Sequence, residues 1–86
     1  MQTEVNTRFG RFIARKRTAK PMKQVELAER AGVSQSYLSA LEIGIRRIDL
    51  EMAFRICDAL EVDIREFLDE EVSNAEEEEQ DKTLAI

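Results

Sequence analysis

The segment from Gln24 to Leu41, QVELAERAGVSQSYLSAL, constrains the fold of this chain more than any other. Its apolar residues recur at helical spacing on both sides of Gly32, which predicts two short helices joined by a tight turn. Gly32 can adopt the positive φ that such a turn requires, and the small side chain of Ala28 lets the helices cross closely. The other expected contact positions are small or apolar: Leu27, Ala31, Val33, Leu38 and Leu41.

Three more helices are predicted around this pair. The first is expected to end before Pro21, because the residue that precedes a proline avoids the helical region. Four helices have a residue suited to cap them: Asn6 or Thr7, Ser34, Asp49, and Asp63 with Glu66 three residues later as in a capping box. No stretch alternates between apolar and polar residues as a strand does. The sequence therefore predicts an all-α fold of five helices.

Each predicted helix has an apolar face that we expect to be buried. These faces are Val5, Phe9, Phe12 and Ile13 in the first helix; Val25, Leu27 and Ala28 in the second; Leu38 and Leu41 in the third; Leu50, Ala53, Phe54, Cys57 and Leu60 in the fourth; and Ile64, Phe67 and Leu68 in the fifth. The periodicity ends at residue 68. We therefore predict one folded domain over residues 1–68, and an acidic tail or frayed helix extension over residues 69–86.

Charge is distributed unevenly along the chain. Residues 1–47 carry a net charge of +6, residues 48–68 carry −4 and residues 69–86 carry −7. A basic first half is consistent with a nucleic-acid partner despite the overall charge of −5. The acidic tail is expected to be solvated, or to interact with a basic partner.

Composition argues against an enzyme. The chain has no histidine, a single cysteine and no glycine-rich phosphate loop, so neither a nucleophile–base pair nor a metal site can be assembled. We therefore expect no catalytic activity and no cofactor. Cys57 lies on the apolar face of the fourth helix and is expected to be a core residue. The lone cysteine and the lack of a membrane-length apolar run favour a cytoplasmic protein.

The segment from Gln24 to Leu41 resembles the helix-turn-helix of the phage-repressor and Cro-like (XRE) transcriptional regulators. The resemblance extends from about Phe9 to Leu68 and is carried by three short matches: Gln24 with Leu27-Ala28, Ser39 with Glu42 and Gly44, and the closing turn Leu60-Glu61-Val62. It implies a five-helix DNA-binding domain with the motif at about 24–41. It also implies that double-stranded DNA is the partner and that the second motif helix lies in the major groove.

Site residues follow from the resemblance position by position. The base-contacting positions correspond to Gln35, Ser36 and Ser39, with Ala40 as a contact to a thymine methyl group. The positions that contact the DNA backbone correspond to Lys23, Gln24, Tyr37, Arg46 and Arg47. In this family the Gln24 position is often braced against the first base-contacting residue. The basic cluster from Arg11 to Arg17 would add long-range attraction. Each polar residue also has the simpler interpretation of a solvated surface residue, and Tyr37 is equally suited to packing over the first helix.

The sequence departs from the family pattern in three places. Lys23 replaces the usual Ser or Thr cap, so the second helix is expected to begin less cleanly. Glu61 replaces a glycine in the closing turn and must either take the left-handed conformation at some cost or alter the turn. The loop after the third helix carries Ile43, Ile45 and Ile48, which either fold back into the core or contact another protein. The expected dimer interface is Ile45, Ile48, Ile64, Phe67 and Leu68.

These features together predict a homodimeric regulator, most simply a repressor, that binds an inverted-repeat operator. Two alternatives remain open at this point. The chain is an antitoxin whose acidic tail binds a basic toxin, or it is a restriction-modification controller that regulates its own operon. The tail could also act within the chain, by competing with DNA for the basic face.

Overall fold

The computed structural model describes the backbone of residues 4–84 and the side chains of residues 5–75. It contains five α-helices: α1 (Glu4–Ala19), α2 (Gln24–Ala31), α3 (Gln35–Glu42), α4 (Leu50–Ala59) and α5 (Ile64–Leu84). The described residues contain no strand, so the predicted all-α, five-helix fold is confirmed. Within this part of the chain, no helix combines the length and the apolar character that spanning a membrane demands.

The predicted capping side chains of α3 and α4 are in place. The Tyr37 amide donates to the Ser34 hydroxyl at 3.0 Å, and the Met52 amide donates to the Asp49 carboxylate at 2.8 Å. Lys23 makes no side-chain cap to α2, as the departure from the family pattern predicts. At α5 only half of a capping box forms. Asp63 accepts from the Arg65 amide at 2.9 Å, while Glu66 pairs with Lys16 at 2.8 Å.

Three helices end in a left-handed residue that satisfies their last carbonyls: α2 at Gly32, α3 at Gly44 and α4 at Glu61. After α2, Gly32 has a φ of 72°, and the next amide, that of Val33, donates back to Ala28 at 3.0 Å. After α4 the same arrangement is built on Glu61, whose φ is 58°, with the Val62 amide donating to Cys57 at 2.9 Å. The prediction that Glu61 takes the left-handed shape is confirmed. A non-glycine residue in that region costs about 1–2 kcal/mol.

The core lies between α1, α3 and the inner faces of the other helices. Phe9 and Phe12 of α1 meet Phe67 of α5, with ring centroids 5.2 Å and 5.5 Å from Phe67 respectively. Most of the predicted core residues are buried: Phe9, Phe12, Ile13, Leu27, Ala28, Ala31, Leu38, Leu41, Ala53, Cys57, Leu60 and Phe67. Such a contiguous apolar cluster supplies the main driving force for folding.

Five residues that we predicted to be buried are exposed instead. They are Val5, Val25, Leu50, Phe54 and Leu68, with exposed fractions between 46% and 70%. In α4 the buried arc includes Ile56, which the prediction omitted and which is fully buried. At about 100° per residue, including Ile56 turns this arc away from Leu50 and Phe54, which lie at its edge. The buried face of α4 is therefore rotated from the predicted one by roughly one residue position.

Helix α5 runs on to Leu84 and so includes most of the acidic segment after residue 68. Two of its carboxylates pair with α1: Glu70 with Arg15 at 2.8 Å and Glu71 with Arg8 at 2.6 Å. The expected long-range attraction from the α1 cluster is thereby reduced, because these contacts neutralise part of its charge. Residues 85–86, and the side chains from 76 onward, lie outside the described part of the tail.

Candidate nucleic-acid interface

The outer face of α3 forms one wall of an open surface groove. Its lining residues are Gln24, Gln35, Ser36, Ser39, Ala40, Ile43 and Ile45. The structure thus brings together the four candidates for base contact and the Gln24 side chain. Gln35 and Ser36 are exposed, while Ser39 and Ala40 are half-buried. The groove presents amide and hydroxyl groups, which can both donate and accept hydrogen bonds at base edges.

The position of α3 depends on a close approach by α1 at Gly10. A Cβ atom added at Gly10 would lie 2.1 Å from the carbonyl oxygen of Leu41, so only glycine permits this packing. Leu38 and Leu41 on the inner face of α3 are fully buried. This contact was not predicted from the sequence. Its signal was a glycine in the interior of a helix, where it costs about 1 kcal/mol relative to alanine and therefore calls for a structural reason.

A buried ion pair anchors the end of α3 to the end of α1. Arg17 donates to both carboxylate oxygens of Glu42, at 2.7 Å and 2.9 Å, and to the carbonyl of Met22 at 2.8 Å. The Arg17 and Glu42 side chains are only 14% and 5% exposed. The hydrogen bond to Glu42 raises the pKa of Arg17. Bidentate geometry of this kind restrains orientation as well as distance.

Gln24 extends this ion pair to the start of α2. Its side-chain amide donates to the Glu42 carboxylate at 2.9 Å. The family pattern suggested that Gln35 would brace Gln24, but here the partner is Glu42. The network places the first residue of α2 beside the last residue of α3. Arg17 was predicted to contribute only long-range attraction, so its structural role was not predicted. The available signal was Glu42 itself, an acidic residue directly after the inward-facing Leu41.

The loop between α3 and α4 is held by Asn6. The Asn6 side chain donates to the Arg46 carbonyl at 2.6 Å and accepts from the Ile48 amide at 2.8 Å. The prediction that Asn6 caps α1 is wrong, since α1 already includes Glu4 and Asn6 is 5% exposed inside the fold. Buried amide side chains of this kind replace the backbone partners that a loop lacks. The loop thereby carries Arg46 and Arg47 in a defined position.

Of the five candidates for DNA-backbone contact, three are exposed and two, Gln24 and Tyr37, are half-buried. Lys23, Arg46 and Arg47 are exposed, and the Arg46 guanidinium lies 5.0 Å from the centre of the Tyr37 ring. Tyr37 itself is half-buried and packs against the core, which is the alternative that we left open for it. Burial, and then the nearby Asp49 carboxylate, raise the pKa of Tyr37, so its phenol stays protonated at neutral pH. A protonated phenol can donate a hydrogen bond to a phosphate oxygen.

The candidate dimer residues fall into two groups on different surfaces. Ile45 lies in the α3 groove, whereas Ile48, Ile64, Phe67 and Leu68 line a second, mainly apolar groove with Val5, Phe9, Asp49, Leu50 and Ala53. Phe67 is only 6% exposed and packs on Phe9, so it supports this groove from below and offers little area to a partner. Exposed area comes instead from Val5, Leu50 and Leu68. Val5 and Leu50 were not among the predicted interface residues.

Comparison with known proteins gives a consistent result. The family model HTH_3, described as helix-turn-helix, matches residues 13–67. The restriction-modification controller protein C.AhdI from Aeromonas hydrophila is 33% identical over 71% of this chain and 92% of its own, with a TM-score of 0.68. The clp gene regulator ClgR from Corynebacterium glutamicum is 27% identical over 99% of this chain and 90% of its own, with a TM-score of 0.77.

A third solved structure shares the fold at lower identity. The restriction-modification controller protein C.Esp1396I, as a tetramer in complex with its natural 35 base-pair operator, is 22% identical over 84% of this chain and 95% of its own, with a TM-score of 0.76. A search of curated proteins found no match. The family model covers more than half of the chain and includes the whole of α2 and α3. The chain belongs to the helix-turn-helix family of DNA-binding transcriptional regulators, of the phage-repressor-like (XRE) type.

Proposed function

We propose that this protein is a repressor that binds an inverted-repeat operator as a homodimer, with α3 of each subunit in the major groove. The observation that carries the proposal is the α3 groove, where Gln35, Ser36, Ser39 and Ala40 share one exposed face of a firmly anchored helix. Gln35 stands at the N-terminus of α3, which is the part of a recognition helix that approaches base edges. Its amide is suited to bind adenine through two hydrogen bonds.

Residues around the groove are assigned to the phosphate backbone. Lys23 directly precedes α2, and Arg46 and Arg47 lie in the loop that Asn6 holds after α3. We assign these exposed cations to phosphate groups on either side of the bases that α3 contacts. Tyr37, beneath the Arg46 guanidinium, is assigned an additional contact from its protonated phenol. Gln24, which also lines the groove, is assigned a contact from its side-chain amide to the DNA backbone. Neutralised phosphates make binding weaken with salt, by about 0.9 in log–log slope for each one.

The dimer is proposed to form through the second groove. Exposed Val5, Leu50 and Leu68 surround the half-buried Ile48 and Ile64, and two copies of such a patch can bury each other across a two-fold axis. The subunits would then present α3 to half-sites about 34–36 Å apart. In this proposal residues 1–68 are the DNA-binding domain, and the rest of α5 extends from it.

No catalytic role is proposed. The sequence has no histidine, and its single cysteine, Cys57, is 2% exposed. Burial raises the pKa of the Cys57 thiol to about 11, which keeps it in the unreactive protonated form at neutral pH. These properties support a protein that acts by binding alone.

The direct test is selection of binding sites from a random DNA duplex library with the full-length protein. Enrichment of an inverted repeat whose half-site centres lie about 10 base pairs apart is the expected result. Sedimentation of the protein with the selected duplex should give two subunits per site. If no sequence is enriched across a range of salt concentrations, from low to near-physiological, the proposed function is wrong.

A second candidate function is control of a restriction-modification system. It is favoured over an antitoxin by C.AhdI, a restriction-modification controller that shares 33% identity with this chain. The antitoxin alternative rests on the acidic tail, and the first part of that tail is paired with α1 of the same chain through Glu70 and Glu71. The neighbouring reading frames distinguish the two. A methyltransferase and a nuclease beside this gene support the controller, and a small basic protein supports the antitoxin.

A further inference from the structure

Two exposed isoleucines lie among the polar residues of the α3 groove. Ile43 is 67% exposed and Ile45 is 64% exposed, and both line the groove together with Gln35, Ser39 and Ala40. A single exposed apolar residue needs no special explanation. Two of them in a groove that otherwise presents hydroxyl and amide groups indicate a ligand that combines polar edges with apolar groups.

Ile43 continues one of the two rows of base-contact candidates. Gln35, Ser39 and Ile43 are spaced four residues apart, which places them on one face of α3. Ser36 and Ala40 form the neighbouring row. The first row ends at Ile43, the C-cap residue of α3. The second row ends at Ala40, because its next position is Gly44, the residue before Ile45.

The backbone holds Ile45 beside Ala40. The Ile45 amide donates to the Ala40 carbonyl at 3.0 Å, and the Gly44 amide donates to the Leu41 carbonyl at 3.1 Å. Gly44 has a φ of 84°, so these bonds form the glycine-based helix ending in which the residue after the glycine packs over the last turn. Ile45 therefore lies over the end of the second row and does not project as part of a flexible loop.

A major groove offers one strongly apolar group, the C5-methyl of thymine. We propose that Ile43 and Ile45 are specificity-determining residues that contact thymine methyl groups in each half-site of the operator. This inference rests on the proposed function, since it requires α3 to lie in the major groove. The eight positions from Gln35 to Ile43 span about 12 Å of helix at about 1.5 Å per residue. At a rise of about 3.4 Å per base pair, the contacted thymines should therefore lie within about four base pairs of the base that Gln35 contacts.

A protein partner fits this surface less well. A specific protein interface buries about 800 Å² on each side around an apolar centre, whereas this groove offers two apolar side chains bordered by polar ones. The large apolar surface of the molecule is the second groove, with Val5, Leu50 and Leu68, and it is assigned to the dimer. The α3 groove is therefore left to DNA.

The test is a cycle between protein variants and a base analogue. Deoxyuridine replaces thymine one position at a time in the selected operator, which removes only the methyl group. Affinity is measured for the wild type, Ile43→Ala, Ile45→Ala and Gln35→Ala. Phe54→Ala serves as a matched control, because Phe54 is also an exposed apolar residue, at 53%, but lies outside both grooves.

One or two thymines per half-site should lose about threefold to fourfold in affinity on replacement with the wild-type protein, as expected for burial of one methyl group. If Ile43 or Ile45 makes the contact, the same replacements should not change the affinity of the corresponding alanine variant. They should lower the affinity of Phe54→Ala as much as that of the wild type. Unchanged thermal unfolding of the isoleucine variants excludes a folding defect.

The inference is overturned if the methyl groups have equal effect in wild type and isoleucine variants, or no effect in either. It is also overturned if both variants bind the operator normally but fail to repress, which would assign the isoleucines to a protein partner. A third outcome separates the two proposals. If an operator is selected and Gln35→Ala binds it more weakly, but removal of the thymine methyl groups does not change affinity, the proposed function stands and only this inference is wrong. If no operator is selected, both are wrong.

Discussion

Replacing Glu42 by glutamine tests how much the buried ion pair contributes to stability. In the wild type, the Glu42 carboxylate accepts two hydrogen bonds from Arg17 and one from Gln24, with only 5% of its side chain exposed. Glutamine keeps the shape but removes the charge, and it leaves the Arg17 guanidinium buried without its counter-ion. Hydrogen bonds to a charged group contribute about 1.5–3 kcal/mol, so we expect Glu42→Gln to lower the free energy of unfolding by about 2–3 kcal/mol.

The measurement is thermal and urea unfolding followed by circular dichroism. For a domain of this size, a loss of about 2–3 kcal/mol corresponds to a fall in melting temperature of about 10–20 °C. Glu51→Gln is the matched control, since Glu51 also pairs with an arginine, Arg55, but at 3.4 Å and with 80% of its side chain exposed. An exposed pair of this kind contributes about 0.5 kcal/mol or less. Equal melting temperatures for Glu42→Gln and Glu51→Gln would refute the reasoning.

A double variant separates the cost of an unpaired charge from the value of the pair. Arg17→Met with Glu42→Leu replaces both ions by apolar side chains of similar volume, which is often neutral or stabilising for a buried pair. The double variant should therefore be more stable than Glu42→Gln alone. Its DNA affinity should still fall, because Gln24 loses its brace and α3 loses a restraint at its C-terminal end. If it is both less stable and unchanged in DNA binding, the pair is a stability element only.

The remaining predictions concern DNA binding and packing. Gln35→Ala should weaken operator binding by about 1–3 kcal/mol and relax preference at one base position, as measured by repeating the selection. Gly10→Ala should destabilise the fold by about 1–3 kcal/mol although alanine favours helix, because the new Cβ meets the Leu41 carbonyl; Arg11→Ala is the exposed control on the same helix. Leu68→Asp should convert a dimer into a monomer in sedimentation while leaving the fold intact, since Leu68 is 51% exposed. Deleting residues 70–86 removes Glu70 and Glu71, two of the carboxylates that pair with α1, and should tighten DNA binding at low salt; no change would show that the tail does not compete with DNA.

Features encoded by a few neighbouring residues were predictable from the sequence. Ser34 and Asp49 cap their helices, and Gly32 and Glu61 take the left-handed conformation, because each depends on contacts within about five residues. The identity of the motif follows from the same local rules. The limits of the buried faces were less predictable, because which flank of α4 is covered depends on where α2 and α5 lie against it. Phe54 shows this, since it falls at the edge of the face and is 53% exposed.

Contacts between residues far apart in the chain were not predictable in the same way. Asn6 satisfies backbone groups 40 and 42 positions away, and Arg17 pairs with a residue 25 positions away. Composition and periodicity describe Asn6 as a cap and Arg17 as one of several surface cations. Only the packing of α1 on α3 decides that both are buried. The polar groups that anchor the recognition helix are therefore the part of the site that sequence patterns alone did not identify.

The loop after α3 explains why Ile45 and Ile48, which were predicted to share a dimer interface, lie on different surfaces. Ile45 and Ile48 are three positions apart and were assigned together to a dimer interface, yet they lie in different grooves. The cause is Asn6, which bonds the Arg46 carbonyl and the Ile48 amide and so turns the chain between the two isoleucines. With the loop held in this way, Ile45 is directed toward the α3 groove and Ile48 toward the core and the second groove. Asn6→Ala should therefore affect both DNA affinity and dimer formation, whereas Ile45→Ala should affect only the first. A variant of Asn6 that alters neither would show that the loop keeps its shape without this side chain.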